Sequence, residues 1–322
     1  MKKSLFITAL LLLMGCSGAK DQENLQTPKS FMNFEHKRIS ANGLTFHYVE
    51  KGDGDLMLML HGFPYFSESW FNLINSFSTD YHTVAPDNRG YGYSDKPENV
   101  EDYRIDKLVS DVEQMIKQLS PDKPVILVGH DWGAALAWGI AQVHPERVKK
   151  LIIINGAPAN TFLKVLSESP LQREKSKYVA KLDSWLAKLM FTIRGPKLFW
   201  KNIAPLHETG LVDDNFKAAF MNAWEQPGAA QAAVNWYLAN IPPFDEIQPS
   251  DYWPNEHARV TVPTLLIWSK NDPAFSEDVM HAIPAVVDDL TTHVIDTNSH
   301  APFLSHPDEV IERIQAFLDT KD

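Results

Sequence analysis

Hydrophobic residues along the chain follow a strand-like pattern in some segments and a helix-like pattern in others. Short apolar or alternating runs predict strands at 34–40, 44–50, 56–60, 82–86, 125–128 and 151–155. Apolar residues at helical spacing or in a buried run predict helices at 106–119 and 134–143. The first two strands flank Asn42-Gly43, a hairpin turn signal. Strands and helices in this order predict a mostly parallel sheet with helices on both faces.

The pattern changes in the middle of the chain. From about residue 157 to 253 the sequence is helical or irregular, rich in Trp, Lys and Ala, and without a clear strand. Further strands are predicted at 264–268 and 293–296, and an amphipathic helix at 308–318. The sequence therefore predicts an α/β core formed by residues 34–156 and 257–322, with a helical cap at 157–256.

The N-terminus carries a candidate export signal. Met1-Lys2-Lys3 precedes an apolar run, residues 5–14, that is too short to span a bilayer. The run ends in Leu13-Met14-Gly15-Cys16, which resembles a bacterial lipobox and predicts a signal peptide at 1–15 with lipid modification of Cys16. The polar stretch that follows, residues 16–33, predicts a flexible tether. These features predict export from a bacterial cytoplasm and lipid anchoring in the cell envelope.

Two other interpretations of the N-terminus stay open. Ser17-Gly18-Ala19 has the small-x-small pattern of ordinary signal peptidase cleavage, which would release a soluble periplasmic or secreted protein. An N-terminal helix buried in the fold is the third possibility. In either export route Cys16 is the chain's single cysteine, so no internal disulfide is expected.

Composition and charge exclude some classes of protein. Apolar residues make up 44% of the 322 residues and charged residues 22%, which is typical of a globular enzyme. The formal net charge of −11 repels phosphate backbones, so we expect no nucleic-acid partner. No ligand cluster with zinc spacing occurs, and we expect neither a metal nor an organic cofactor.

The sequence Val128-Gly129-His130-Asp131-Trp132-Gly133-Ala134 lies between a predicted strand and a predicted helix. Small residues two before and two after a nucleophile permit the sharp turn of a nucleophile elbow. The nucleophile position holds Asp131, and no G-x-S-x-G occurs in the chain. A carboxylate attacks saturated carbon and forms an ester, which disfavours peptidase and lipase chemistry. The alternative role for Asp131 is that of a helix N-cap.

Two further residues complete a candidate triad in the order nucleophile, acid, histidine. Asp272 follows the predicted strand at 264–268, and His300 lies in the loop after the next strand. Ligands of open α/β sheets bind at the carboxyl ends of the strands, where both loops lie. We therefore expect His300, oriented by Asp272, to act as the base.

Several motifs carry a resemblance to a known family. They are HGFP at 61–64, RGYGYSDKP at 89–97, GHDWGA at 129–134, SKY at 176–178 and NWY at 235–237. With these motifs the chain resembles the capped epoxide hydrolases of the α/β-hydrolase superfamily over about residues 34–319, here in an exported bacterial form.

The resemblance implies roles for individual residues. The backbone N–H groups of Phe63 and Trp132 would form an oxyanion hole, and Tyr178 and Tyr237 on the cap would hold the epoxide oxygen. Asp131 would form an ester with a small apolar epoxide, and water activated by His300 would release a vicinal diol. Trp185, Trp200, Trp224 and Trp236 predict an apolar pocket in the cap.

The chain departs from the resemblance at two places. Asn155 begins Asn155-Gly156-Ala157-Pro158-Ala159 where many relatives carry a histidine, and Leu238 stands where many have arginine. We expect these changes to affect cap docking and substrate shape rather than the chemistry. Haloalkane or haloacid dehalogenases, which share the triad, are the alternative enzyme class. A non-catalytic receptor for small ligands is a further alternative.

Overall fold

A mostly parallel sheet of eight strands forms the centre of the described chain. The computed structural model describes residues 32–182 and 184–320. The strands are β1 (Glu35–Ala41), β2 (Leu44–Lys51), β3 (Asp55–Leu60), β4 (Tyr81–Pro86), β5 (Val125–His130), β6 (Val148–Ile154), β7 (Thr264–Ser269) and β8 (Leu290–Ile295). Their order is β1-β2-β4-β3-β5-β6-β7-β8. β1, β2 and β4 pair antiparallel, and all other pairs are parallel. The predicted α/β-hydrolase fold is confirmed.

Helices cover both faces of the sheet. In the core they are α1 (Phe71–Phe77), α2 (Ile105–Leu119), α3 (Trp132–Val143), α10 (Glu277–Ala282), α11 (Pro302–Ser305) and α12 (Pro307–Leu318). Helix α3 packs on β5 and β6, and α12 contacts both α1 and β7. The residues of β5 and β7 are buried on both faces, as their continuous apolar sequences predict. Strand β6 begins at Val148, before the predicted start at residue 151. Lys150 interrupts the apolar pattern there, but it is buried in the strand and its ammonium donates to the C-terminal carbonyls of α12.

A helical segment lies between β6 and β7. It consists of α4 (Ala159–Glu168), α5 (Pro170–Ser176), α6 (Trp185–Trp200), α7 (Ala204–Glu208), α8 (Asp214–Trp224) and α9 (Ala229–Asn240). The described residues of this segment form no strand, in agreement with the predicted pattern. The residue boundaries of the cap and of the two core parts stay a prediction.

Buried polar contacts fix the cap to the core. The indole N–H of Trp224 donates to the backbone carbonyl of Pro64 at 2.8 Å, and that of Trp236 donates to the backbone carbonyl of Arg89 at 2.9 Å. Asn240 at the end of α9 accepts from the backbone N–H of Ile105 at 2.7 Å. Each of these three cap side chains therefore contacts a loop or a helix start of the core, beside the carboxyl ends of the strands.

The N-terminal predictions fall largely on undescribed residues. The predicted signal peptide, Cys16 and most of the tether at 16–33 lie outside the described residues. Within residues 32–182 and 184–320, no helix is long and apolar enough to cross a membrane.

Candidate active site

Asp131 stands at the turn between β5 and α3. Its backbone has φ 52° and ψ −120°, a conformation that residues other than glycine rarely adopt. The turn is possible because the chain passes close to β3 at Gly133, where a Cβ would lie 2.0 Å from the carbonyl oxygen of Leu60. The predicted elbow is therefore present, with the carboxylate of Asp131 raised above the sheet.

Two backbone N–H groups hold one end of this carboxylate. The N–H of Phe63 donates to Oδ1 of Asp131 at 2.8 Å, and the N–H of Trp132 also hydrogen-bonds to the carboxylate. The loop carrying Phe63 approaches closely because the preceding residue is Gly62, whose Cβ would lie 2.3 Å from Oδ1. The structure thus brings together both oxyanion-hole residues that the resemblance implied.

His300 lies between two carboxylates. Its Nδ1 is 2.7 Å from Oδ2 of Asp272, and its Nε2 is 3.5 Å from Oδ2 of Asp131. Burial alone lowers the pKa of His300, but the Asp272 charge and the hydrogen bond to Asp131 outweigh it and raise the pKa to about 10. The imidazole is therefore a cation at neutral pH while both carboxylates are ionised. The structure brings together all three residues of the predicted triad.

Asp272 is held by backbone N–H groups of its own loop. Its Oδ1 accepts from the backbone N–H groups of Ala274 and Phe275 at 2.7 and 2.8 Å. Burial raises the pKa of Asp272, yet the charge of His300 and these N–H donors bring it below its ordinary value. The carboxylate therefore stays ionised and fixes His300 through Nδ1.

Asn155, the residue that follows β6, also contacts the triad. Its Nδ2 donates to Oδ2 of Asp272 at 2.5 Å, and its Oδ1 accepts from the N–H of Ser269 at 2.8 Å. Its backbone carbonyl accepts from the N–H of Asp131 at 3.2 Å. The expectation that the departure at Asn155 leaves the catalytic groups untouched is wrong, because parallel pairing places the end of β6 between the elbow and the acid loop.

We expect Asn155→Ala to lower kcat by about 10-fold or more. The buried N–H of Ser269 and one oxygen of Asp272 would each lose a partner, a change of about 1–3 kcal/mol per group. The Asp272–His300 pair would then be less well oriented, and the pH–rate profile would shift. Kinetics across pH, with a thermal melt to verify folding, measures both effects. An unchanged profile with only a lower melting temperature would show that Asn155 is merely structural.

His130 is a second neighbour that the motif contained but the sequence reasoning did not assign. Its Nε2 lies 2.8 Å from the carbonyl oxygen of His300, so this nitrogen carries the proton. Burial is the main cause that lowers the pKa of His130, to about 3, and the ring is neutral. His130 therefore holds the backbone of His300 without adding charge beside Asp131.

The cap supplies two phenols opposite the nucleophile. Tyr237 lies on α9 and Tyr178 follows α5; their ring centroids are 6.0 Å apart and their hydroxyls share a hydrogen bond. Burial raises the pKa of Tyr178 to about 12 and that of Tyr237 well above its ordinary value. Both phenols thus remain protonated donors at neutral pH.

Helix α5, which belongs to the cap, also binds the acid loop, residues 272–276 after β7. Gln172 is fully buried; its amide donates to the carbonyl of Ala274 and accepts from the N–H of Ser276. Lys175, one turn further on, donates to the backbone carbonyl of Asp272 at 2.5 Å. The segment that leads into Tyr178 is therefore fastened to the loop of the acid.

Two cavities meet at this group of side chains. One has a volume of about 300 Å³ and the other about 760 Å³, and both are lined by Asp131, Tyr178, Tyr237 and Ala274. The smaller cavity is also lined by Leu238, and the expected effect of this departure on substrate shape stays a prediction. A substrate carbon at Asp131 therefore has room for substituents on both sides.

The aromatic lining differs from the prediction. Trp200, Trp224 and Trp236 line neither cavity; the latter two are buried with their indole N–H groups bound to the core. The side chain of Trp185 lies outside the described residues. The rings that face the cavities include Phe162, Trp253 and Phe275 in the smaller and Phe191 and Phe199 in the larger. The pocket is apolar, but through other residues than the cap tryptophans.

Within the described ranges, no group of three or more His, Cys, Asp or Glu side chains is arranged to hold a metal ion. The groups present at the site are instead a carboxylate nucleophile, a paired histidine, N–H donors and phenols. A carboxylate elbow with its histidine and acid, at the carboxyl ends of a mostly parallel sheet, defines an enzyme of the α/β-hydrolase type.

Comparison with known proteins agrees with this class. Residues 55–307 match the model of the alpha/beta hydrolase fold family. Human "Epoxide hydrolase 4" is 36% identical over 292 residues, which cover 87% of this chain and 77% of that protein. Mouse "Epoxide hydrolase 3" is 32% identical and covers 87% and 75%. The chain belongs to the epoxide hydrolases of the α/β-hydrolase fold family.

Solved structures show the same likeness. An epoxide hydrolase from Bacillus megaterium, in complex with an inhibitor, is 35% identical with a TM-score of 0.81, covering 88% of this chain and all of that one. A variant of the Bacillus megaterium enzyme, at 34% identity and a TM-score of 0.82, is bound to its product, a naphthyloxy-propane-1,2-diol.

Proposed function

We propose that this protein hydrolyses apolar epoxides to vicinal diols through an ester on Asp131. The observation that carries the proposal is the position of Asp131: its carboxylate lies at the junction of two cavities that Tyr178 and Tyr237 also line. Epoxide hydrolase relatives, one of which binds a 1,2-diol product, support this substrate class. The substrates are an epoxide and water, without a cofactor.

The first step is attack on an oxirane carbon. Oδ1 of Asp131 accepts from the N–H of Phe63, so Oδ2 is the oxygen directed at the substrate. Its lone pair forms the new C–O bond while the ring C–O bond breaks. The electron pair of that bond stays on the epoxide oxygen, which takes a proton from Tyr178 or Tyr237. The result is a neutral hydroxyalkyl ester.

The second step needs His300 as a base. In the resting enzyme Asp131 helps raise the pKa of His300, but the ester is neutral and removes that contribution. The proton of His300 returns to the deprotonated tyrosine, and the free imidazole then takes a proton from water. Hydroxide attacks the ester carbonyl, and the oxyanion develops at Oδ1, where the N–H groups of Phe63 and Trp132 already point. Collapse breaks the C–O bond to the substrate, and the leaving alkoxide takes the proton of the hydroxyl that came from water, which gives the diol and the Asp131 carboxylate.

Isotope labelling tests this route. A single turnover in ¹⁸O-labelled water, with enzyme in excess over an aryl epoxide, should give an unlabelled diol and a labelled peptide containing Asp131. This outcome follows because water attacks the ester carbonyl rather than the epoxide. Label in the diol of the first turnover would contradict the ester mechanism.

A dehalogenase is the alternative that the same triad allows. Displacement of halide by Asp131 would follow the same two steps, but a halide leaves without needing a proton. The paired phenols of Tyr178 and Tyr237 favour an oxygen leaving group. Halide release from a panel of haloalkanes and haloacids, compared with diol formation from epoxides, distinguishes the two. A receptor without activity would produce neither.

We expect Tyr178→Phe and Tyr237→Phe each to lower kcat about 10-fold, and the double variant to lower it about 10³-fold. With one phenol left the epoxide oxygen still finds a proton donor, whereas the double variant has none. Tyr91→Phe is the matched control, because Tyr91 is a buried phenol whose hydroxyl has no hydrogen-bond partner in the described part of the chain. Equal losses in all variants would contradict the role of the pair.

The export and lipid anchoring of the protein are part of the proposal, and they rest on the sequence alone. Cell fractionation of the wild type and of Cys16→Ser measures both. We expect the wild type in the envelope and Cys16→Ser without lipid. Recovery of the wild type from the cytosol would exclude export.

A further inference from the structure

Charge on this acidic protein is unevenly distributed. Residues 157–203, the first half of the cap, hold nine Lys and Arg against three Asp and Glu, a net charge of +6. The remainder of the chain therefore carries −17. A cationic segment in an otherwise acidic protein attracts anionic partners where its cations are exposed and unpaired.

Three of these cations form a stripe with Met190, the α6 stripe, along α6 and the turn that follows it. Met190, Arg194 and Lys197 lie on α6, and Lys201 is the first residue after the helix. Their spacings of four, three and four residues place them on one side. All four are exposed, and the helix contacts α8 and α9. Arg194, Lys197 and Lys201 line a single surface groove, and none of the three is paired with a carboxylate among the described residues. Glu225 is the acidic residue of that groove.

The stripe leads to the mouth of the larger cavity. Met190 lines that cavity and is 47% exposed, and Leu198 contributes to both the cavity and the cationic groove. Apart from Asp131, no carboxylate lines the larger cavity in the described part of the chain. Among the described residues of the cap, Leu171 and Leu211 are further large apolar side chains that are exposed.

We propose that the α6 stripe docks the cap onto an anionic lipid membrane, so that apolar substrate passes from the bilayer into the larger cavity. Exposed cations beside exposed apolar side chains fit a phosphate-bearing surface above an acyl interior. A freely dissolved apolar substrate would need no cations at the mouth. The predicted tether at 16–33 would extend to about 60 Å if fully stretched, which is enough to let the cap face the same membrane as the anchor. The route of substrate rests on the proposed function, whereas docking itself does not.

The test compares three full-length variants with wild type by co-sedimentation with phosphatidylglycerol/phosphatidylcholine vesicles and with pure phosphatidylcholine vesicles. R194Q/K197Q/K201Q removes the stripe. K123Q/K149Q/R313Q removes the same charge from the core, and R194K/K197R/K201R keeps the charge of the stripe. Residues 1–33 are identical in all of them, so their contribution to membrane binding is constant.

We expect binding of the first variant to anionic vesicles to fall about 100-fold, while the other two bind like wild type. Wild-type binding should fall at high salt and be much weaker on phosphatidylcholine. Unchanged binding of R194Q/K197Q/K201Q, an equal loss in the core variant, or a loss in the charge-conserving variant would each overturn docking. Hydrolysis of a soluble aryl epoxide should be equal in all proteins. Vesicle binding without any epoxide turnover by the wild type would contradict the proposed function and leave docking supported.

Discussion

His300→Gln is expected to stop turnover at the ester and to leave a stable mass adduct on the peptide containing Asp131. Glutamine cannot take a proton from water, so the ester would form but would not be hydrolysed. We expect kcat to fall on the order of 10⁴-fold, as when one member of such a triad is removed. Mass spectrometry of the digested protein after incubation with a panel of epoxides measures the adduct.

Two comparisons make this experiment decisive. His306→Gln is a matched control, because His306 lies near the same end of the chain but its Nδ1 contacts Ser305 rather than a triad carboxylate. The control should turn over normally and carry no adduct. If His300→Gln forms no adduct with any epoxide of the panel, the ester mechanism is wrong.

Asp131→Asn should abolish the adduct altogether and lower the pKa of His300. The amide keeps the shape of the carboxylate but is a poor nucleophile, so kcat should fall on the order of 10⁴-fold. Asp131 is among the causes that raise the pKa of His300 to about 10, and without its charge the pKa must move down. NMR titration of the imidazole, assigned by its absence in His300→Gln, measures the shift.

The pH dependence of the free energy of unfolding gives a second measurement of the effect of Asp131→Asn. A histidine whose folded pKa lies above its ordinary value of 6.5 stabilises the fold below that pH, and the effect is lost as pH rises towards 10. In Asp131→Asn, the stability that His300 contributes should be lost over a lower and narrower range of pH. An unchanged His300 titration would show that Asp131 does not set the charge of the base, and our account of the second step would fail.

The elbow and the triad could be predicted because their signals are local. Asp131 lies between a strand and a helix that are each recognisable from their apolar pattern, and Asp272 and His300 follow predicted strands. In a parallel sheet, such positions meet at one edge whatever the rest of the chain does. The assignment of Tyr178 and Tyr237 came from resemblance alone, since nothing in the spacing of the cap says which helix faces the elbow.

Contacts between distant segments could not be predicted. Asn155 is 117 residues from Asp272, and His130 is 170 residues from His300. Both pairs depend on the order of strands, which the apolar pattern does not specify. The cap tryptophans were misassigned because a large aromatic residue fits an anchor as well as a pocket wall. Hydrogen bonds from their indole N–H groups decide between these roles, and they exist only in the folded chain.

The fastening of α5 to the acid loop limits how substrate can enter. Gln172 and Lys175 join the cap segment ahead of Tyr178 to residues 272–276. If the cap opened as one rigid lid, it would move this loop and separate Asp272 from His300. The hydrogen bond that orients the catalytic base would then break in every catalytic cycle. We therefore expect substrate and product to enter and leave through an opening of the cavity beside α6, while α5 keeps its position. Hydrogen exchange should then be faster in α6 than in α5.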